Sequence, residues 1–295
     1  MLNTSVYLEE NIPTQRERFW RHFRSNNLAM FGLWNLGVIA IITLTATLIS
    51  PHDPIVQSSV LLQPPSWARE GSIEYFLGTD DLGRDILSRL LMGSQLTIGS
   101  ALLITFIAAI VGSTIGALAG MTRGLLSSIL NHLLDVVMSI PSLLLALIFV
   151  AFLGTGLVPI MLAIGLALIP RFIRSAYQNI HAEVDKDYIM SAKLDGADNW
   201  YLLTVSILPN VLTAFVAEFT FALTIAILDI TALGFLGLGA QAPSPEWGAI
   251  LGDSVELIYL APWTVVLPGL VIMYTVITIN LVGEGMRDAL NAGVE

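Results

Sequence analysis

The chain contains no cysteine. That removes disulfide frameworks, iron–sulfur clusters and thiolate chemistry. Charge is also scarce. Only 12% of the 295 residues are charged, about half the roughly 25% usual in a soluble domain. Lysine is limited to Lys186 and Lys193, preceded by Asp185 and Ala192. Neither sits in the Gly-Lys-Ser/Thr context whose backbone amides cradle phosphate, so the chain carries no P-loop. A serine nucleophile elbow and a zinc-protease helix are missing too. The four histidines, His22, His52, His132 and His181, lack metal-ligand spacing. A net charge of −10 points away from nucleic acid, whose phosphates need a basic surface.

What the chain has in place of charge is apolar length. It is 55% hydrophobic with a mean hydropathy of +0.77, too apolar to face water on all sides, so lipid is the solvent that fits. Crossing the hydrocarbon core takes about 20 apolar residues. Six runs qualify: 28–50, 96–120, 127–153, 157–173, 208–236 and 264–283. The expected fold class is an all-α integral membrane protein. The alternating ten-residue pattern of a β-barrel is not present. The first run is too long for a signal peptide and is expected to be retained. The fourth is short and is expected to end at Pro170-Arg171.

Basic residues orient the spans. With the N-terminal arm 1–27 in the cytoplasm, the inner side holds Arg16, Arg18, Arg21, Arg24, Arg123, Arg171, Arg174, Lys186, Lys193 and Arg287. The outer side holds Arg69, Arg84 and Arg89. The bias puts both termini, including the tail 286–295, in the cytoplasm. Loop 51–95 then lies outside, rich in Pro, Gly and Asp, and loop 174–207 is the largest polar segment inside. The connection 237–263, with Pro243, Pro245, Trp247, Gly248, Pro262 and Trp263, is semi-apolar and reads as a folded or re-entrant element.

Within the inner loop, Asp187 to Asp195 favours helix, Gly196 suits the left-handed position that closes one, and Asp198 suits the N-cap of a second. Tyr188, Ile189 and Trp200 would then be apolar groups available to a partner. Periodicity alone leaves two readings open: a docking element, or a solvated loop tucked against the bundle.

The spacing resembles the loop of ATP-binding-cassette importer permeases, which runs Glu-Ala-Ala, three residues, Gly, and then Leu-Pro. Ser191-Ala192, Gly196 and Leu208-Pro209 match, while Met190 stands where that loop has Glu and Ser191 where it has the first Ala. Three further stretches resemble the C-type subunits of dipeptide, oligopeptide and nickel permeases. They are Leu77-Gly78-Thr79-Asp80-Asp81-Leu82-Gly83-Arg84-Asp85-Ile86-Leu87-Ser88-Arg89, the segment from Leu233-Gly234-Phe235 to Pro245-Glu246-Trp247-Gly248, and Asn280 to Asp288. Leu194-Asp195-Gly196-Ala197, Ala261-Pro262-Trp263-Thr264-Val265 and the tail 292–295 resemble the Sap peptide-transport branch.

The resemblance implies a six-helix type I importer transmembrane subunit in the bacterial inner membrane, its transmembrane domain at 96–285 and loop 51–95 periplasmic. It implies that Asp187, Tyr188, Ser191, Ala192, Asp195, Gly196, Ala197, Leu208 and Pro209 couple to an ATPase. It implies Asp80, Gly83, Arg84, Asp85, Pro245, Trp247 and Gly248 as an outer gate or scaffold. No cofactor is expected on the chain itself, with ATP and magnesium on partner ATPases. The implied partners are a B-type permease subunit, two ATP-binding subunits, a periplasmic peptide-binding protein and the lipid bilayer. The cargo of the Sap branch would be cationic antimicrobial peptides.

Ionisable residues within spans are costly and therefore functional candidates. Asp135, Glu218 and Asp229 qualify. Glu218 and Asp229 stand eleven residues apart, about three helical turns, and so share a face. They form either a negative wall of the translocation path or pairs at a subunit interface. Asp229 replaces the family's usual Glu. Asp135 favours a structural role. Gly112, Gly116 and Gly120 suit close helix packing, and Pro141 is expected to kink the third span. Arg84 among Asp80, Asp81 and Asp85 is either a solvated ion-pair cluster or a rigid scaffold. The competing functional class is an ion-coupled secondary transporter using the three membrane acids, which would need no ATPase.

Overall fold

The computed structural model describes residues 15–122 and 125–291. Arg123, arm residues 1–14 and tail residues 292–295 lie outside them. Among the described residues the regular structure is helical apart from one bridge between Thr79 and Asp85. The helices are α1 (Gln15–Ser25), α2 (Asn27–Ile49), α3 (Ile86–Gly120), α4 (Leu125–Met138), α5 (Ser142–Leu153), α6 (Leu157–Val184), α7 (Asp187–Leu194), α8 (Asn199–Tyr201), α9 (Leu208–Phe235), α10 (Trp247–Ser254) and α11 (Trp263–Asn291). A π-helical turn, Leu202–Ile207, joins α8 to α9.

Five helices are long and apolar enough to cross a membrane, and α4 with α5 makes a sixth span bent by 88°. Such helices satisfy their backbone hydrogen bonds internally, as lipid requires. Large side chains such as Trp34, Leu44, Leu48 and Phe152 stay on the outside, where lipid contacts them. The protein is membrane-integral.

Several boundaries differ from the sequence expectation. α3 begins at Ile86, inside the stretch assigned to the first loop. Its N-cap is Asp85, whose carboxylate accepts from the Ser88 N–H at 2.9 Å. α6 does not stop at Pro170-Arg171 but runs to Val184. A proline removes one backbone hydrogen bond without ending a helix whose neighbours hold it. At Pro141 the chain breaks sharply between two helices, which is more than a kink.

The centre of the bundle packs α3 against α6. At Gly112 a Cβ would meet the Ile169 carbonyl at 2.8 Å, and at Gly116 the Ile173 carbonyl at 2.4 Å. The bare backbones touch, as small residues at this spacing allow. Ile104, Ala108, Ile164, Leu168, Phe172, Ile227 and Ile230 fill the core between α3, α6 and α9. α11 closes the bundle and holds α2, where Gly285 faces Ala29.

Candidate functional site

Two polar constructions lie at opposite ends of the bundle. At one end, residues 185–210 form an elbow. α7 ends in the backbone bond from Asp195 N–H to the Ser191 carbonyl, and Ala197 N–H reaches back to Ala192. Gly196 between them has φ +91°, with open space where a side chain would stand. This left-handed residue closes the helix. The Asp198 carboxylate then accepts from the Tyr201 N–H at 2.9 Å and caps α8. The elbow is seated by Ile189, Leu202 and Ile207, all fully buried against Ile180, Val184 and Val211.

The elbow exposes large apolar side chains among its polar ones. Leu194 is 83% exposed and Trp200 72%, and Tyr188 and Met190 are also exposed. Asp187, Ser191, Asp195, Leu208 and Pro209 lie at the surface, while Ala192 and Ala197 are half-buried. Ile189, expected to be exposed, is instead the plug under α7. Tyr188 donates to the Glu183 carboxylate of α6 and accepts from Asn210 of α9 at 2.9 Å. Burial and the Glu183 carboxylate push the Tyr188 phenol up to about 12, so it remains a donor at neutral pH.

At the other end the first loop folds onto the start of α3. Asp80 accepts from Arg84 Nε at 2.7 Å and from Arg89 Nη1 at 2.5 Å. Its other oxygen takes the backbone N–H groups of Leu82 and Arg84. Both arginines are almost wholly buried. They reach toward Asp253 of α10 at 3.7 and 3.6 Å. The ion pairs around Arg84 are therefore buried and not solvated. Gly83 makes the tight turn at φ +72°, and Asp85 caps α3 while facing His52 at 3.5 Å.

α10 is wedged beside this loop. Glu246 caps it by accepting from Gly248 and Ala249 N–H groups at 2.9 and 2.8 Å, and it also accepts from the Thr97 hydroxyl of α3 at 2.9 Å. Trp247 is buried and donates its indole N–H to the Leu90 carbonyl at 3.0 Å. The Pro245 carbonyl lies where a Cβ on Gly93 would be, and Gly248 presses on the Thr231 backbone of α9. Asp80, Arg84, Asp85, Trp247 and Gly248 thus belong to one connected region joining loop, α3, α9 and α10.

The membrane acids separate into different roles. Glu218 of α9 sits 3.0 Å from Arg171 of α6, and the Arg171 guanidinium lies over the Phe221 ring at 4.5 Å. Arg171 reaches Glu218 because α6 continues past Pro170. Beside the pair lies a cavity of about 470 Å³ lined by α6, α9 and α11, including Thr220, Asn280 and Glu284. Asp135 pairs with Arg174. Asp229 is buried in α9 near Ser142, at the α4–α5 break, and its Oδ2 has no hydrogen-bond partner among the described residues. A continuous negative wall is not what this arrangement makes, because Arg171 neutralises Glu218.

Sequence reasoning missed Arg89, Asp253, Glu183, Glu246 and the Arg171–Glu218 pair. Glu246 was legible as an acid preceding Trp247-Gly248-Ala249, a helix start. Asp253 carried no local signal, since its partners lie in a distant loop. Among the described residues no group of three His, Cys, Asp or Glu side chains is arranged to hold a metal ion.

Residues 112–295 match the family described as binding-protein-dependent transport system inner membrane component, and residues 14–65 match the N-terminal TM domain of oligopeptide transport permease C. The chain is 50% identical to the peptide transport system permease protein SapC of Escherichia coli O6:H1, over 99% of both chains. The SapC protein of Salmonella typhimurium is 51% identical over the same shares. The di/tripeptide transport system permease protein DppC of Pseudomonas aeruginosa is 40% identical over 95% of this chain and 92% of that protein. In fold, the chain resembles a chain of the inward-facing MetNI methionine ABC transporter. The TM-score is 0.60 at 18% identity, covering 70% of this chain and 97% of that one.

Proposed function

The chain belongs to the family of binding-protein-dependent transport system inner membrane components, and on that premise we propose that it is the C-type permease subunit of an ATP-driven peptide importer of the Sap type. Full-length similarity to proteins named as peptide transport permeases supports the substrate class. The cargo we assign is cationic antimicrobial peptide, delivered by a periplasmic binding protein. A B-type permease completes the path, and two partner subunits bind ATP with magnesium. We orient both termini and the α7–α8 elbow toward the cytoplasm of an inner membrane, as the distribution of Arg and Lys favours.

One observation carries the reading: the elbow closed by Gly196. It offers a partner exposed Met190, Leu194 and Trp200 while Ile189 plugs it into the bundle. Such an apolar face on a firmly seated element is what a docking ATPase needs. Closure of the ATPase dimer would push the elbow and rock the spans between inward- and outward-open states. The cavity beside Glu218 is our candidate for the inner part of the path. The buried Asp80 node with Trp247 is our candidate outer scaffold, and Asp135 and Asp229 hold helices. Proton-driven secondary transport is disfavoured, since Asp135 and Glu218 are each held in an ion pair.

Gly196→Val tests the reading. The substitution meets no neighbour but strains a left-handed position. We expect the chain to insert while co-purification of the ATPase, or peptide-stimulated ATP hydrolysis, is lost. Full assembly and activity in the variant would remove the elbow as coupler. An unaltered chain that brings no ATPase with it would remove the importer reading.

A further inference from the structure

The elbow is joined to the transmembrane helices at one point that neither its sequence motif nor its apolar face explains. Glu183 is a carboxylate only 6% exposed in the last turn of α6. It accepts the Tyr188 hydroxyl from α7 and pairs with Lys186 at 2.7 Å. A phenol has one proton to give and two lone pairs to offer. With the proton on Glu183, the Tyr188 oxygen accepts from Asn210 Nδ2 of α9 at 2.9 Å. Asn210 has a second N–H, and it donates that one to the Ser206 carbonyl at 2.8 Å.

Ser206 belongs to the π-helical turn Leu202–Ile207. The Ser206 carbonyl accepts from the Asn210 side chain at 2.8 Å, and the Tyr188 oxygen lies 3.3 Å from it. The chain Glu183–Tyr188–Asn210–Ser206 thus links the end of α6, the elbow and the root of α9. Elsewhere α7 is held by apolar contacts around Ile189, which resist separation but do not fix direction.

We propose that Tyr188 is a positioning residue for energy coupling, its hydroxyl locking α7 to α6 through Glu183 and to α9 through Asn210 so that a push on the elbow moves both helices together. The inference rests on the reading of the elbow as coupler. The phenol remains protonated at neutral pH, so the lock is set throughout the working range. Removing it leaves Ile189 and the exposed docking face in place. Docking and coupling are therefore separable.

The experiment uses the full transporter in proteoliposomes with its binding protein and a cationic peptide. For Tyr188→Phe we expect ATPase co-purification to be retained and the ratio of peptide-stimulated to basal ATP hydrolysis to fall by about fivefold or more, the scale of one ordinary hydrogen bond. Glu183→Gln keeps an acceptor for the hydroxyl and should hold most of the ratio, whereas Glu183→Ala should lose it. A residue that only stabilises the fold would lower basal and stimulated rates in proportion and leave the ratio unchanged. That result, or an unaffected Tyr188→Phe, overturns the proposal. Gly196→Val run alongside separates the two failures. If Gly196→Val uncouples and Tyr188→Phe does not, only the lock falls. If Gly196→Val leaves coupling intact, the elbow is not the coupler and both readings fall.

Discussion

Arg171 and Glu218 face each other at 3.0 Å across α6 and α9, beside the cavity we assign to the inner path. Both are partly shielded rather than fully buried. Removing either partner alone, as in Arg171→Ala, should therefore cost about 1–2 kcal/mol, less than a fully buried pair. Arg171→Leu combined with Glu218→Leu should cost less than the sum of the single changes. Thermal unfolding of the solubilised protein checks both statements. Because the pair is neutral, the double change Arg171→Leu with Glu218→Leu should leave the preference for cationic over neutral peptide unchanged in a transport assay. A changed preference would return Glu218 to the role of a selective acid.

Asp80 compensates two buried arginines at once. Asp80→Ala should therefore be among the most damaging single changes in the chain, at about 3–5 kcal/mol. Asp253 is 41% exposed and sits more than 3.5 Å from the same arginines. Asp253→Asn should cost under about 1 kcal/mol. Yield of folded protein and unfolding midpoint report the contrast. Equal effects of the two changes would mean that Asp80 is not the centre of the node.

The extra length of α3 and α6 shows where the sequence was readable and where it was not. Apolar runs located the spans because lipid-facing helices need that length regardless of their neighbours. The Gly196 closure and Asp198 cap were legible because both are local backbone chemistry. Ile86–Gln95 looked like loop because Ser88, Arg89, Ser94 and Gln95 are polar. Each finds its partner in the fold: Ser88 on Asp85, Arg89 on Asp80, Ser94 on the Leu91 carbonyl and Gln95 on the Thr43 carbonyl of α2. Arg171 read as a helix end for the same reason, its acid partner standing 47 residues away. Ile189 read as exposed because nothing in α7 alone reveals that Leu202 and Ile207 fold back beneath it.

Glycines divide sharply by what lies opposite them. A Cβ at Gly116 would stand 2.4 Å from a backbone carbonyl of α6, whereas Gly99 has nothing within 4 Å. Gly116→Ala should destabilise by about 1–3 kcal/mol through forced separation of α3 and α6. Gly99→Ala should be neutral or stabilising by up to about 1 kcal/mol. The unfolding midpoints of the two variants decide it.

Tyr188 gives a pH dependence of defined sign. Its phenol is held near 12 in the folded protein, above the ordinary value of about 10. The neutral form is thus favoured by folding. That stabilisation is whole below about pH 10 and is lost as pH rises toward the folded value. Midpoints of the unaltered chain and Tyr188→Phe should differ by a constant amount through the neutral range and converge above about pH 10. Parallel curves at alkaline pH would show that the Glu183 contact does not govern this group.

The run from Asn199 to Phe235 is continuous through the π turn and counts 37 residues. At ~1.5 Å per residue that is a rod of about 55 Å, against a hydrocarbon layer of about 30 Å. On the proposed coupling it would act as a lever, one arm of which ends at Trp200. Its far arm ends at the backbone of α10, where Gly248 touches Thr231. With a fulcrum near mid-membrane, a tilt of about 10° displaces each end by roughly 5 Å in opposite directions. On the proposed coupling, a push on the elbow would then arrive with its sign reversed at the opposite face of the bilayer.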